Sequence, residues 1–230
     1  MGSVIKKDYI VYYYFQESTS ISLSNMFKDN TRIQYFTFDD KYMNNFIISN
    51  MSNMFAGCTS LKSVSFGSFK GENVIDISNM FSQCTSLNSF DFSGFNPINL
   101  KYMNNLFYNC TSLEMISNAK LNTSKLINIS SMFYNCLSLS SLELNLDTHD
   151  VTDMSYMFIR CASLTSLNIR SFNVTNVLDM SYMFRSCVSL ISLDLSNFNA
   201  QNAEKLEHMF ENCISLKKLN LFNFKTKNLI

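Results

Sequence analysis

The spacing of the seven cysteines constrains this chain of 230 residues more than any other feature. Successive cysteines lie 26 residues apart, except for one step of 25. Each follows a phenylalanine by three residues and precedes a Ser-Leu pair, so the shared motif is Phe-x-x-Cys-x-Ser-Leu. A fixed period between about 20 and 50 residues indicates a solenoid of stacked repeats. The motif residues are Phe55 and Cys58, Phe81 and Cys84, Phe107 and Cys110, Phe133 and Cys136, Phe158 and Cys161, Phe184 and Cys187, and Phe210 and Cys213.

A helical periodicity precedes each cysteine. With the cysteine as position 0, apolar residues fall at positions −10, −7, −4, −3 and 0. This spacing is typical of one face of a short helix. Asp179 stands directly before the second of these positions in its repeat, where its carboxylate could accept the free N–H groups of a first helical turn. The pattern therefore predicts a short helix in every repeat.

A different periodicity follows each cysteine. Segments such as Leu190–Leu195 place apolar residues first at helical spacing and then in alternation, which predicts a turn and a short strand. A degenerate copy with Asn30 in the cysteine position precedes the others, giving about eight repeats. The predicted fold class is α/β: a solenoid of turn–helix–strand units over residues 21–230, with a parallel β-sheet on one face.

The two ends of the chain differ from the repeats. Residues 1–20 are predicted to be an N-terminal capping segment, in which the β-prone run Tyr9–Phe15 lies across the first repeat. The array ends at Lys227–Ile230 without an evident C-terminal cap. Because terminal repeats expose apolar faces that inner repeats bury, the chain is expected either to be part of a longer array or to bury this end in a partner, for which a second copy of the chain is one candidate.

From about residue 21 to its end, the chain resembles the BspA-like leucine-rich-repeat surface proteins, in particular their mycoplasma-lipoprotein-type repeat. The resemblance rests on Val177–Leu190, which contains Met-Phe-x-x-Cys-x-Ser-Leu, and on Leu193–Asn199. It implies a leucine-rich-repeat-like solenoid that is displayed on a cell surface or secreted. The implied function is adhesion to, or recognition of, a host or matrix protein or glycan. No signal peptide is recognised in this chain, so a cytoplasmic location stays open.

The cysteines allow three interpretations: disulfides, metal ligands or core residues. Their number is odd and no repeat contains two, which argues against a disulfide framework. Metal sites need clustered ligands, and only His149 and His208 could assist them. Cysteine is also among the most buried residue types. We expect the cysteines and the phenylalanines of the motif to form a reduced, buried core column, with no metal and no cofactor.

The polar strand positions are the candidate binding site. One polar residue stands just before the last apolar residue of each predicted strand, where its side chain should point away from the core. These ladder residues could form a mildly acidic recognition surface for protein or glycan. They could equally be a solvated sheet face that is kept free of apolar groups to prevent aggregation. The ladder consists of Ser65, Asp91, Ser117, Glu143, Asn168, Asp194 and Asn220.

A second candidate surface consists of tyrosines at outward or flanking positions of the predicted helices. Tyrosine is a common interface anchor, although scattered copies could simply cover the outer side of the solenoid. The tyrosines are Tyr102, Tyr108, Tyr134, Tyr156 and Tyr182.

No catalytic constellation is recognised, and the chain is predicted not to be an enzyme. His149 and His208 stand at positions that other repeats do not share, which favours surface substitutions. Lysine plus arginine equals aspartate plus glutamate at 18 each, so no nucleic-acid partner is expected. No apolar run approaches the about 18 residues of a membrane span, so no membrane insertion is expected. The alternative to surface recognition is an intracellular or self-assembling scaffold that uses the open solenoid ends.

Overall fold

The computed structural model describes residues 3–6, 9–12, 20–38, 46–119 and 121–226. From residue 20 onward these residues wind as a solenoid whose coils match the sequence repeats. Each coil contributes a short strand, in most coils of only three residues. The strands are β1 (Ser3–Lys6), β2 (Tyr9–Tyr12), β3 (Ser20–Ser22), β4 (Tyr35–Thr37), β5 (Ile47–Asn50), β6 (Ser63–Ser65), β7 (Ser89–Asp91), β8 (Met115–Ser117), β9 (Ser141–Glu143), β10 (Ser166–Asn168), β11 (Ser192–Asp194) and β12 (Lys218–Asn220).

Two parallel ladders join successive coils. The first is formed by the strands, which pair two by two rather than continuously: β4 with β6, β7 with β8, β9 with β10 and β11 with β12, all parallel. The second consists of single-residue bridges at position −8, for example from Asp76 to Tyr102 and from Tyr102 to Asn128. Asp76 precedes the first residue of β7 by half a coil, 13 of 26 residues. The solenoid therefore has a parallel-strand architecture of the predicted kind.

The predicted helix is wrong, and with it the α/β class: the described residues contain no helix. Overlapping β-turns occupy positions −7 to 0 instead. In the coil of Cys110, the N–H of Leu106 donates to Met103 O (3.2 Å) and the N–H of Cys110 donates to Phe107 O (3.0 Å). A helix would place each acceptor four residues back rather than three. The described residues accordingly include no helical segment with the length and apolar character of a membrane span.

Backbone conformation explains why no helix forms. In every coil the residues at positions −5 and −1 have positive φ, which a right-handed helix excludes. Positive φ at the third residue of a turn is the type II arrangement. Asparagine, aspartate and glycine tolerate it best, and they fill more than half of these places. The pairs are Asn25 and Asp29, Asn53 and Gly57, Asn79 and Gln83, Asn105 and Asn109, Ser131 and Asn135, Tyr156 and Arg160, Tyr182 and Ser186, and His208 and Asn212.

The remaining amides of these turns bond to the following coil. Asn105 N–H donates to Ser130 O (2.9 Å), and Phe107 N–H donates to Met132 O (2.9 Å). Amides at alternate positions therefore bond within the coil and between coils. Because an unpaired buried N–H is costly, a single coil cannot satisfy its own backbone, and its turns depend on the next coil.

The phenylalanines of the motif and Phe27 stack as one column through the core. Ring centroids of successive members lie 5.4–5.8 Å apart with interplanar angles of 15° or less. Such offset stacking stabilises aromatic pairs beyond the burial of their area. Phe55 to Phe184 are almost completely buried, whereas Phe210 in the last coil is half-buried.

The cysteines form a second column beside the phenylalanines. Each thiol donates a hydrogen bond to the backbone carbonyl of a phenylalanine in the preceding coil, as Cys110 Sγ does to Phe81 O at 3.0 Å. For Cys58 this phenylalanine is Phe27. The Phe81 carbonyl also accepts the N–H of Cys84 at 3.0 Å. All seven cysteines are free thiols; six are buried and Cys213 is half-buried. Burial raises the pKa of the Cys58 thiol to about 11 and that of Cys161 to about 12.

A hairpin lies at the N-terminal end of the described residues. β1 and β2 pair antiparallel, and Ser3 of β1 also pairs with Thr37 of β4. Within the predicted capping run, residues 9–12 form β2, and residues 13–15 lie outside the described residues, as do 1–2, 7–8 and 16–19. Residues 227–230, at which the predicted uncapped end lies, are also outside them.

The positive φ at position −5 predicts that this position accepts glycine but not a β-branched residue. Replacing Asn105 with Gly should leave stability nearly unchanged, because glycine adopts positive φ freely. Replacing it with Val should cost about 1–2 kcal/mol, the usual penalty of the left-handed region. Denaturant unfolding of both variants measures the difference. The control is Asn104→Val, at a neighbouring residue without positive φ; an equal loss from both valines would contradict the assigned turn.

The cysteine column predicts slow thiol chemistry. Because burial raises their pKa and blocks access, six thiols should resist a thiol reagent at neutral pH until the chain unfolds. Cys213 should react first, since it is the one that is half-buried. Mass spectrometry of briefly labelled native protein tests the order of reaction. Rapid labelling of most cysteines in the native state would contradict the buried column.

Candidate binding surface

The strand face is defined by the outward side chains at positions +5 and +7 of each coil. The structure places Ser65, Asp91, Glu143, Asn168 and Asn220 in exposed positions at +7. Ser117 and Asp194, the other two ladder residues, are half-buried. Position +5 is exposed in all eight coils and holds serine in five of them: Tyr35, Ser63, Ser89, Met115, Ser141, Ser166, Ser192 and Lys218. The ladder residues therefore share one face and follow one another from coil to coil.

Most ladder side chains also end their strands, a role that the sequence analysis missed. Asp91 Oδ1 accepts the N–H of Ser93 (2.9 Å), two residues on, and Asp194 Oδ1 accepts that of Ser196 (3.0 Å). Short polar side chains typically form such turns. A recurring Asp, Asn or Ser after an alternating strand is the signal that could have predicted them. Ser65, Asn168 and Asn220 make the equivalent bonds to Gly67, Arg170 and Phe222.

The carboxylates of the strand face differ in whether a positively charged side chain balances their charge. The Asn118 amide donates to Asp91 Oδ1 (2.8 Å), and this bond lowers the pKa of Asp91. Hydrogen bonds from Ser196 and then from Arg170 lower the pKa of Asp194. Arg170 Nη2 also forms an ion pair with Asp194 Oδ2 (3.1 Å). Within the described ranges, Asp91 and Glu143 have no ion-pair partner. The central strand face therefore carries uncompensated negative charge.

The tyrosines lie on the outside of turns and not on helices, so the predicted helical surface does not exist. Tyr102 occupies the bridge position −8 and is exposed. Tyr108 and Tyr134, at position −2, stack on each other with centroids 4.5 Å apart. Tyr156 and Tyr182, at position −5, form a separate stack at 4.9 Å. The five tyrosines therefore lie at three separate places and do not form one surface.

Both histidines are exposed and bonded to acids. His149 Nδ1 lies 2.8 Å from Asp147 Oδ1, and this hydrogen bond raises the pKa of His149. His208 Nδ1 lies 2.8 Å from Glu211 Oε2. Across the described ranges, no group of three or more histidine, cysteine, aspartate or glutamate side chains could hold a metal ion. The structure therefore brings together no candidate ligand set around either histidine.

An open groove of about 690 Å³ runs along several coils beside the bridge ladder. No sequence pattern predicts this groove, because its residues belong to no single motif. Its lining mixes charged, polar and aliphatic side chains without a shared chemistry. The lining residues are Lys101, Lys125, Ile127, Asp150, Thr152, Asn176, Leu178 and Asn202.

Two solved structures of leucine-rich-repeat proteins are similar to this solenoid. The Treponema pallidum leucine-rich-repeat protein TpLRR has a TM-score of 0.53 at 21% identity, covering 80% of this chain and 78% of that one. A leucine-rich-repeat protein from Eubacterium ventriosum has a TM-score of 0.50 at 17% identity, covering 78% of this chain and 42% of that one. These likenesses show a fold of the leucine-rich-repeat type. A comparison with curated protein sequences gives no match.

The family comparison agrees with the fold. Residues 21–145 and 140–230 match the family described as "Mycoplasma protein of unknown function, DUF285". The two ranges together span the whole solenoid, including every motif cysteine. The resemblance to the mycoplasma-type repeat of BspA-like proteins is thereby confirmed. The chain belongs to the mycoplasma family DUF285, and its leucine-rich-repeat solenoid is consistent with a BspA-like protein.

Proposed function

We propose that this chain is a non-enzymatic recognition module that binds a protein or glycan ligand through its strand face. The observation on which the proposal rests is the ladder itself: polar side chains at +7 follow one another across seven coils. Serines stand beside five of these residues, and Met115 is the one exposed aliphatic side chain at position +5 in these seven coils. Solenoids of stacked repeats offer extended binding surfaces of this kind.

The geometry supports a ligand that is rich in hydrogen-bond donors or positive charge. Asp91 and Glu143 lie on neighbouring parts of the face without an ion-pair partner among the described residues. The turn bond from Ser93 fixes the Asp91 carboxylate, so little conformational freedom is lost when a ligand binds. Complementary charge mainly increases the association rate and the specificity.

A cell-surface or secreted location and a role in adhesion to a host or matrix component complete the proposal. They are supported by the BspA-like character of the repeat. A surface module that contacts large ligands also suits the length of the ladder, because a broad and shallow face fits a macromolecule better than a small molecule, which usually needs a concave pocket.

The test variant removes the negative charge of three strand-face side chains and keeps their shape. In a variant with Asp91→Asn, Glu143→Gln and Asp194→Asn, each side chain retains an acceptor oxygen, so the strand-ending turns persist. The wild type and the variant are used to capture ligands from host-cell and matrix extracts, and captured components are identified by mass spectrometry. We expect capture by the variant to fall about tenfold, and wild-type capture to weaken as salt rises.

The matched control neutralises three exposed acids away from the strand face, with Glu72→Gln, Asp150→Asn and Glu204→Gln. It changes the net charge equally and should bind like the wild type. Protease treatment of the captured material separates a protein ligand from a glycan. Undiminished capture by the strand-face variant, or an equal loss in the control, would contradict binding through the ladder.

A further inference from the structure

The last three coils replace asparagine by aromatic residues at position −5. The first four coils have Asn25, Asn53, Asn79 and Asn105 there, and the fifth has Ser131. The next three have Tyr156, Tyr182 and His208, which we call the aromatic row. Their φ values of 59°, 59° and 56° match those of the asparagines. Positive φ is uncommon for a bulky side chain and needs an explanation when it recurs in three consecutive coils.

The aromatic row is ordered by contacts on the outside of the solenoid. Tyr182 stacks on Tyr156 at 4.9 Å (8°) and on His208 at 4.9 Å (19°). The Arg185 guanidinium lies 5.4 Å from the centroid of the Tyr182 ring. Glu211 accepts from Arg185 (3.0 Å) and lies 2.8 Å from His208 Nδ1. The side chains are thus held in place while Tyr156 remains 37% exposed.

The coil itself does not require these rings. Four coils build the same turns with asparagine, whose short polar side chain tolerates positive φ better than an aromatic one does. Strained backbone that a fold could avoid is concentrated at functional sites in proteins. Tyrosine and arginine, which meet here, are the side chains that most often dominate binding between proteins. The row therefore has the composition and the rigidity of an interface.

The charges around the row indicate which partner fits. Arg160, at position −1, belongs to the coil of Tyr156, and Glu207, at position −6, belongs to the coil of His208. Both are exposed, and neither has an ion-pair partner within the part of the chain that the structure describes. A twofold interface must be complementary to itself. Two antiparallel copies centred on Tyr182 bring the coil of Arg160 in each copy to the coil of Glu207 in the other.

We propose that the aromatic row is a dimerisation surface whose partner is a second copy of this chain. The two copies lie antiparallel, with Tyr182 near the twofold axis and Tyr156 of each copy facing His208 of the other. Arg160 and Glu207 pair across the interface at both ends. The chain has equal numbers of acidic and basic residues, so no net charge opposes the association. This surface is separate from the strand face and does not depend on the ligand proposed for it.

The experiment measures molecular mass by sedimentation over a wide concentration range. The wild type should show a monomer–dimer equilibrium. The variant Tyr156→Asn/Tyr182→Asn should dissociate about tenfold or more easily, since it removes two anchor side chains. Its melting temperature, measured where both proteins are monomeric, should not fall, because asparagine suits these turns. Tyr108→Ser/Tyr134→Ser removes the other stacked tyrosine pair and should dimerise like the wild type.

A charge exchange tests the same surface without altering any turn aromatic. Arg160→Glu should weaken the dimer by placing acids at both ends, and Arg160→Glu/Glu207→Arg should restore it. Wild-type protein that stays monomeric at all concentrations would overturn the proposal. A dimer that survives the asparagine variant would also overturn it, as would failure of the exchange to restore association. A lower melting temperature for the monomeric asparagine variant would make the row a structural stack, which equally overturns it.

Discussion

The hydrogen bonds between coils are the interaction on which the rest of this structure depends. Amides at alternate positions of each turn segment donate to the next coil, as Phe107 N–H does to Met132 O at 2.9 Å. This pattern keeps successive coils in register and places strands of three residues where they pair two by two. It also lines up the phenylalanine and cysteine columns. Cysteine suits its place because it is small and apolar, and its thiol can donate to a backbone carbonyl that already accepts one N–H.

The repeat period and the inward residues could be predicted from sequence, but the local conformation could not. Val177, Met180 and Met183 are fully buried, and their spacing suits a helix face and a series of three-residue turns equally well. The acceptors that decide between them lie in the next coil, about 25 residues away, where no local pattern reports them. Asparagine at positions −5 and −1 is the local signal of the turns, and it becomes convincing only when several coils are compared.

For the candidate surface, too, the sequence predicts one part and leaves another part unpredicted. Alternation within the strands predicts which side chains point outward, and the structure places Asp91 and Glu143 there, exposed. Some of their partners are contributed by other coils: Asn118 donates a hydrogen bond to Asp91, and Arg170 forms an ion pair with Asp194. These contacts depend on the register between coils, which sequence alone does not specify. The two surfaces that we propose, the acidic strand face for a ligand and the aromatic row for a second copy, consist of different residues.

The most direct test of the account is the hydrogen-bond partner of one amide. Scalar coupling across hydrogen bonds, measured by NMR on deuterated protein, identifies the carbonyl that the Phe81 amide contacts. The account predicts coupling from Phe81 N to the carbonyl carbon of Leu106 in the next coil, where the N···O distance is 3.0 Å. Coupling to the carbonyl of Ile77, four residues back, would show a helix and contradict the turn-built solenoid.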